Sequence, residues 1–510
     1  MHCHYLLADP AQCEALLGTL AQVDRAQREA PQRLTRTVLD TFDCRLLAAG
    51  LVLEASALKT GSVELTLRPR RGERGDQWAT GKLPAAARDI HHARLRARLA
   101  EITAGRALLP RVSASVERHR VHWVDALDKR IATLDVEYCR PARGVPALAL
   151  LRVRPVQGFE RACQRLMTGI RRGGLVTALG DDAAEVLVAA RGKTQVYRAK
   201  PIVELDPGVA AVRALGALFG AYGDVMWANE PGIIDDIDAE FLHDYRVALR
   251  SIRSWLLDLR RVVTKPTRAH FRAELAALNR LTGRLRDLDV LEENLPRYLH
   301  ETGGADPEYA RALAALVHAA RAPTQRAVVR HLRGRRYRAF RRGWQKLVRD
   351  LLDGKRCGEW GKRRLKKVVR DALRRRLGRV VEFDWSRAQE EPSVLHELRK
   401  ECKKLRYLLE GFQRLFDAAR CRRAVAELKT VQTAMGDTWD LHVHHGILQE
   451  LAESLPTDSP VARGVLPIVI AMESRLTALE HAHCELVTIA FERFRSPAVQ
   501  RIYTRLLEER

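Results

Sequence analysis

A histidine followed by basic residues three, seven and ten places on occurs twice in this chain. The first copy is His243, Arg246, Arg250 and Arg253; the second is His396, Arg399, Lys403 and Arg406. The second lies 153 residues beyond the first (396 less 243), and the same step carries Glu274-Leu275, Gly283 and Asp287-Leu288 onto Glu427-Leu428, Gly436 and Asp440-Leu441. One offset shared by two separated motifs marks an internal duplication. Such a chain must fold into two related halves that put the same side chains in the same setting.

Helical geometry gives the repeat its chemistry. At about 100° per residue, Arg246, Arg250 and Arg253 fall within an arc of about 80° that includes His243. Leu242, Tyr245, Leu249, Ile252 and Leu256 occupy the adjoining face, which reads as core. In the second copy His396, Arg399, Lys403 and Arg406 share one arc, and Leu395, Leu398, Leu405 and Leu409 lie beside it. Each helix thus carries a ladder of cations along the border of its buried stripe. A solvated helix face accepts any polar residue and has no reason to keep a register; a ladder that repeats suits a linear polyanion.

The overall charge points the same way. Lys+Arg 88 against Asp+Glu 63 gives +25 at pH 7, which implies a polyanionic partner: nucleic acid, polyphosphate or an anionic surface. The densest block is 331–380, with 20 Lys/Arg and 4 Asp/Glu, and it is expected to extend the binding surface. At 510 residues the chain exceeds one compact core. Nine cysteines without a Cys-x-x-Cys pair suit a reducing cytoplasm. The start lacks the basic and apolar regions of a signal peptide, and no apolar run is long enough to span a bilayer, so no membrane partner is expected. His442, His444 and His445, and His481, His483 and Cys484, are the candidate metal clusters; neither has a second cluster at finger spacing. The expectation is no metal and no cofactor.

Both repeated motifs resemble those of the CHAD family, the conserved histidine α-helical domains. Glu240, His243, Arg246-Val247, Arg250 and Arg253 match its first motif, and Gly283-Arg284-Leu285-Arg286-Asp287-Leu288-Asp289-Val290 matches its second. Lys403-Lys404-Leu405-Arg406-Tyr407 with Glu410 and Phe412 matches the second-half form. Departures are His442 at the position of Asp289, and Ser251 where a further arginine is common. The resemblance covers about 205–510 and implies an all-α domain of two pseudo-symmetric four-helix bundles, about 205–352 and 355–510. Their basic helices would face a groove that binds inorganic polyphosphate. The residues it implies for that role are His243, Arg246, Arg250, Arg253, Arg286, His396, Arg399, Lys403, Lys404, Arg406, Tyr407 and Lys429. Asp287 and Asp440 are expected to orient arginines or cap helices, and protonation of His243 and His396 in mild acid is expected to strengthen binding.

Residues 1–200 read as an α+β domain. Partly alternating runs at 51–56, 62–68, 112–118, 130–138 and 147–154 suit antiparallel strands, with helical patterns at about 10–27, 86–105 and 157–171. Asp40-Thr41-Phe42-Asp43 with Leu46, Gly50 and Leu53 resembles a segment of the CYTH family, whose fold is the triphosphate tunnel. That resemblance implies an antiparallel tunnel-like barrel and metal-assisted phosphate chemistry. The family's acidic signatures, however, would fall near His2-Cys3-His4 and Leu148–Arg154, where no carboxylate stands, and its Leu-Arg-x-Arg is replaced by Leu53-Glu54-Ala55-Ser56. Hard cations need oxygen ligands, so a degenerate, catalytically inactive tunnel is expected, with Arg68, Arg118 and Arg120 as residual phosphate contacts.

From Pro201 and Asp206-Pro207-Gly208 onward the chain is expected to be helical, at about 209–223, 236–262, 268–294, 307–333 and 336–352, then 358–378, 391–416, 420–450, 460–493 and 496–509. The expectation is therefore a non-enzymatic, cytoplasmic polyphosphate-binding protein associated with polyphosphate granules. The alternatives are a nonspecific nucleic-acid binder and an active CYTH-type triphosphatase. Aromatics are only 6% and do not interleave the ladders, so stacking platforms are poor.

Overall fold

The computed structural model describes all residues except 1–2, 8, 23–24, 59–60, 71–75, 142–146, 180–196, 302–305, 385–391, 457–459 and 509–510. It divides into two units, Met1–Arg198 and Ala199–Arg510.

The first unit is built on one antiparallel sheet. Its strands are β1 (Cys3–Leu7), β2 (Ala26–Arg28), β3 (Gln32–Asp40), β4 (Leu51–Leu58), β5 (Val63–Pro69), β6 (Asp76–Thr80), β7 (Leu109–Val124), β8 (Arg130–Pro141), β9 (Leu148–Pro155) and β10 (Val176–Ala178). The order is β10-β1-β9-β8-β7-β3-β4-β5-β6, with β2 also paired to β7. Among the described residues four α-helices accompany it: α1 (Cys13–Ala21), α2 (Arg45–Ala48), α3 (Ala93–Thr103) and α4 (Glu160–Arg172). All five strands expected from alternation are present.

Period-two alternation sorts the side chains. Leu53, Leu65 and Leu67 pack with Leu95 and Leu99 of α3. The adjacent, out-of-phase residue Val52 joins Leu34, Val38, Val116 and Leu150 on the opposite face. That second face also carries charge. Arg36 grips both oxygens of Glu137, Arg152 lies 2.9 Å from Glu137 and reaches Glu54 at 3.1 Å, and Arg68 donates to Glu54 at 3.1 Å. Strand β3 was not foreseen because Arg36 interrupts its apolar alternation; buried against Glu137, it behaves as a core residue. The Asp-Thr-x-Asp segment is a turn that starts α2. Asp40 accepts from the backbone of Thr41, Leu46 and Leu47, and Thr41 accepts from the backbone N–H of Arg45 at 2.9 Å.

The second unit is all-helical: α5 (Ala211–Ile234), α6 (Ala239–Asp258), α7 (Lys265–Leu281), α8 (Gly283–Glu301), α9 (Pro307–Leu332), α10 (Arg335–Leu352), α11 (Leu365–Val381), α12 (Pro392–Gly411), α13 (Ala418–Glu453), α14 (Pro460–Arg495) and α15 (Pro497–Glu508). The duplication is visible in these bounds. Helices α6 and α12 start and end 153 residues apart, as do the starts of α7 and α13 and of α9 and α14 (239 and 392, 265 and 418, 307 and 460). The halves share a core, in which Leu291 and Leu295 of α8 meet Leu313 of α9, Ile447 and Leu448 of α13, and Val465 and Met472 of α14.

Several boundaries differ from expectation: α1 ends at Ala21 and β2 occupies the end of the helix expected at 10–27, α11 begins at Leu365 rather than 358, and two further differences have a cause in the packing. Helix α5 runs on past 223, because Gly216 and Gly223 are sites of close approach: a Cβ there would lie 2.9 Å from Leu351 and 2.8 Å from the Trp344 indole nitrogen. The helix expected at 268–294 is broken at Thr282, whereas its counterpart α13 is continuous. Arg246 donates to the Asn279 carbonyl at 3.0 Å and to the Thr282 hydroxyl at 2.8 Å, which satisfies groups at the break. Its counterpart Arg399 is paired instead with Asp440 at 3.3 Å. Among the described residues no helix is long and apolar enough to cross a membrane.

Candidate functional site

The two ladder helices, α6 and α12, pack their apolar faces inward and leave their basic borders to line one cavity of about 590 Å³. From α6 come His243, Arg246, Arg250 and Arg253; from α12 come His396, Arg399, Lys400, Lys403, Arg406 and Tyr407. Arg286 and Asp287 enter from α8 and Asp440 from α13. With Lys200, nine lysines and arginines among the described residues thus meet two aspartates.

Ten of the twelve residues singled out from sequence line this cavity. Lys404 does not. One residue past Lys403 turns the helix by about 100°, and its ammonium pairs with Glu401 at 2.7 Å beside the buried Arg376, which bridges Glu401 and Asp258. Lys429 does not either; it lies exposed on α13. The block 331–380 contributes no lining residue, so the expectation that it extends this groove is corrected. Its helix α10 is amphipathic, burying Tyr337, Phe340, Trp344, Leu347 and Leu351 while Arg335, Arg336, Arg338 and Arg342 face solvent. Sequence reasoning missed Lys400, Asn279 and Lys200. Lys400 borders the wheel arc and could have been found there. Lys200 precedes the helices and is held over the cavity by Glu410 at 2.8 Å, a contact without a local signal.

The cavity's electrostatics are those of a site short of negative charge. Burial and the neighbouring Arg250 lower the Arg246 pKa to about 10. Burial with Arg272, Arg280 and Arg250 lowers that of Arg253. Lys403 is affected most: burial, then Arg399 and Arg250, outweigh Asp440 and push it down to about 6. His396 is pushed to about 4 by burial, Lys400 and Arg399. It therefore stays neutral in mild acid, contrary to the expectation for this one histidine, whereas Lys403 titrates in that range. Asp287 is shifted upward by burial, with Asp440 adding to the rise. As expected for an orienting acid, Asp440 holds Arg399.

Several buried polar atoms at this cavity have no hydrogen-bond partner among the described residues: the Tyr407 hydroxyl, Nη1 of Arg286, and Nε of Arg246, Arg399 and Arg406. A buried donor left unpaired costs about 1–3 kcal/mol. Several around one basic cavity fit a ligand that is rich in acceptors and negatively charged.

Residues 217–449 match the family model of the CHAD domain. The helical unit carries a CHAD domain. No curated protein matches the chain. Among solved structures, the CHAD domain of the plant Ricinus communis is similar at 23% identity, with 58% of this chain and 96% of that one covered and a TM-score of 0.48. PptA from Streptomyces chartreusis is similar at 14% identity, covering 56% and 99%, with a TM-score of 0.42. The Hippeastrum protein HpAC1, described as having a dominant triphosphatase activity, is similar at 14% identity over 36% of this chain and 93% of that one, with a TM-score of 0.30. Within the CHAD domain, Ser251 is buried and donates to the Val247 carbonyl at 2.9 Å, while Asp289 is buried against Arg321 at 2.7 Å.

No group of three or more His, Cys, Asp or Glu is placed to hold a metal among the described residues. His444 is buried and bonded to the Tyr298 hydroxyl at 2.8 Å, and His442 is exposed. The side chains of His481, His483 and Cys484 lie outside the described ones. In the sheet unit, Arg68 is held by Glu54, Arg120 by Asp135 at 2.8 Å, and Arg118 by Gln32. Glu54, Asp135 and Glu137 are carboxylates that the motif comparison did not foresee on this face, and all three are engaged by arginines.

Proposed function

We propose that this protein binds inorganic polyphosphate in the groove between α6 and α12, without catalysis, and is held by it on polyphosphate granules in the cytoplasm. The observation that carries the reading is the set of unpaired buried donors among nine lysines and arginines with only two aspartates in one cavity. Arginine forks and lysine points suit phosphate oxygens, and neutralising a polyanion releases its counterions. Nucleic acid is the less fitting polyanion. The only aromatic side chain lining the groove, among the described residues, is Tyr407, which is buried with Arg406 over its ring at 5.6 Å, leaving no platform for bases.

The non-catalytic part of the proposal is supported in the sheet unit. Glu54 would be raised by burial, but Arg152, Arg68 and Arg36 hold it well below the ordinary carboxylate range. Oxygens so engaged are poorly placed to bind a divalent ion.

The test is competition between labelled long-chain polyphosphate, duplex DNA and RNA, at low and near-physiological salt. Wild type is compared with a variant in which Arg250, Arg253, Lys403 and Arg406 are all alanine. Polyphosphate is expected to outlast the nucleic acids as salt rises, and to be lost in the variant. Equal binding of all three polyanions, with little loss in the variant, would overturn the reading.

A further inference from the structure

The groove leaves the chain's densest positive charge unused. Part of that charge surrounds a second cavity, of about 440 Å³, on the N-terminal half of α11. Arg364, Lys366, Lys367, Arg370 and Arg374 line it, with Asp371 as the one carboxylate and the backbone at Pro207-Gly208 as a wall. Lys367, Arg370 and Arg374 stand three and four residues apart, so they form one stripe along the helix. We infer that this cavity is a second polyphosphate-binding site, which engages a separate segment of the same polymer that the groove holds.

Three observations support it. First, the site is shaped by its neighbours. Arg374 donates to the Leu507 carbonyl at 3.1 Å and lies 3.7 Å from Asp371; the Lys366 ammonium lies 6.0 Å from the centre of the Phe416 ring. Second, the attraction comes from side chains. The first backbone N–H groups of α11 are already taken, Leu365 by the Val209 carbonyl at 3.0 Å and Lys366 by the Pro207 carbonyl at 3.4 Å, so what remains for an anion is guanidinium and ammonium. Third, the nearby aromatic residues are covered: Phe416 is buried. Trp360, in the turn before α11, has Arg261, Arg363 and Arg375 over its ring at 4.7, 4.8 and 5.7 Å. Base stacking there is blocked, which favours a polyanion without bases.

The position of the site sets its role. Arg376, about 200° around α11 from Arg374, points the other way and joins Glu401 of α12 and Asp258 of α6. The cavity and the groove are thus on separate faces, tied through a buried ion-pair cluster. A short polyphosphate fills one site. A long one can reach both, and the second contact then becomes intramolecular, with a gain in affinity that no single site supplies. This inference rests on the groove reading, and its test keeps the two apart.

Binding of labelled polyphosphate is measured with chains of about ten and about a hundred phosphates, the longer having far more reach for two-site attachment. Three proteins are compared: wild type, the groove variant above, and a cavity variant carrying Arg364→Ala, Lys367→Ala and Arg370→Ala. Their thermal melts are recorded beside them, and Arg364→Glu with Lys367→Glu, both at exposed positions, replaces the triple change if it melts early. The cavity variant is expected to bind the short chain as wild type does and the long chain at least about tenfold more weakly. Unchanged long-chain affinity in the cavity variant overturns the inference. An equal loss of single-stranded RNA binding in that variant overturns the assignment to polyphosphate. Short-chain affinity that survives when the groove substitutions are added to the cavity variant, where no second site can hold the chain, sinks the groove reading instead, while the cavity is still judged by the long chain.

Discussion

The indole N–H of Trp255 donates to the main-chain carbonyl of Tyr407 at 3.0 Å. Trp255 is on α6 and Tyr407 on α12, so this bond ties the two ladder helices at the level of the groove. Tyr222 and Phe412 pack against the same indole edge-on, with ring centres 4.7 and 5.8 Å away. Gly411 closes the contact: a Cβ there would lie 2.3 Å from the indole ring. The register between the ladders is therefore set by a bond and a missing side chain rather than by the cations, which repel each other.

Gly411→Ala must push the indole or α12 aside. The expected cost is about 1–3 kcal/mol of stability, as for other overpacked cores, with weaker polyphosphate binding because the ladders lose register. Gly343→Ala on α10 is the control. Nothing lies within 4 Å of its Cβ, and relief of backbone entropy should stabilise by about 0.5–1 kcal/mol. Denaturant midpoints of the two variants, moving in opposite directions, check this.

Lys403 makes binding depend on pH. Its pKa is pushed down to about 6, so at pH 7 it is mostly neutral. A polyanion favours the charged form, so binding takes up a proton, and affinity should rise as pH falls from 8 toward 6. Stability of the free protein runs the opposite way. The folded pKa lies below the unfolded one, so the unfolded chain holds more protons between about pH 6 and 10, and stability grows as pH rises through that window. Lys403→Met should remove both dependences, raise the melting temperature at pH 6 and weaken polyphosphate binding. Calorimetry in buffers of different ionisation enthalpy reads the proton uptake directly, and an uptake unchanged in the variant would refute the assignment.

Tyr407 separates folding from binding. Its hydroxyl is buried at the cavity and has no partner among the described residues. Tyr407→Phe removes a desolvated group with no bond to lose, so stability should hold or rise slightly. A hydrogen bond to a charged group is worth about 1.5–3 kcal/mol, so polyphosphate affinity should fall by about tenfold or more. Equal affinity in the two proteins would mean that the hydroxyl does not meet the anion.

What could be read in advance follows from the range of the signal. The ladders were legible because helical period and a repeated offset are local, and ten of twelve positions converge. Lys404 was included because a run of basic residues looks uniform in sequence, although each step turns the helix. The 331–380 block looked like part of the groove because charge has no direction until helices are packed. Lys200 and the break at Thr282 depend on contacts with Glu410 and Arg246, far away in sequence. In the sheet unit, the motif comparison registered the missing acids, and Glu54 only as a replacement within a basic motif, but could not see the role of Glu54 and Glu137, because it is fixed by arginines on other strands.

Those two acids carry the last prediction. Glu137 is fully buried, and Arg152 and Arg36 overcome the upward effect of burial to hold its pKa at about 2. Its folded pKa is thus below the unfolded value, so its contribution is complete above about pH 4.5 and is lost as pH falls toward 2. Glu137→Leu leaves Arg36 and Arg152 buried with too little counter-charge and should destabilise the sheet unit by about 3–5 kcal/mol. Glu137→Leu combined with Arg36→Met should recover part of that loss, because the pair is removed together. Neither change should affect hydrolysis of tripolyphosphate with Mg²⁺ or Mn²⁺, since wild type is expected to show none. Metal-dependent turnover in wild type that disappears in Glu137→Leu while the sheet unit remains folded would mean that this carboxylate serves catalysis rather than the fold.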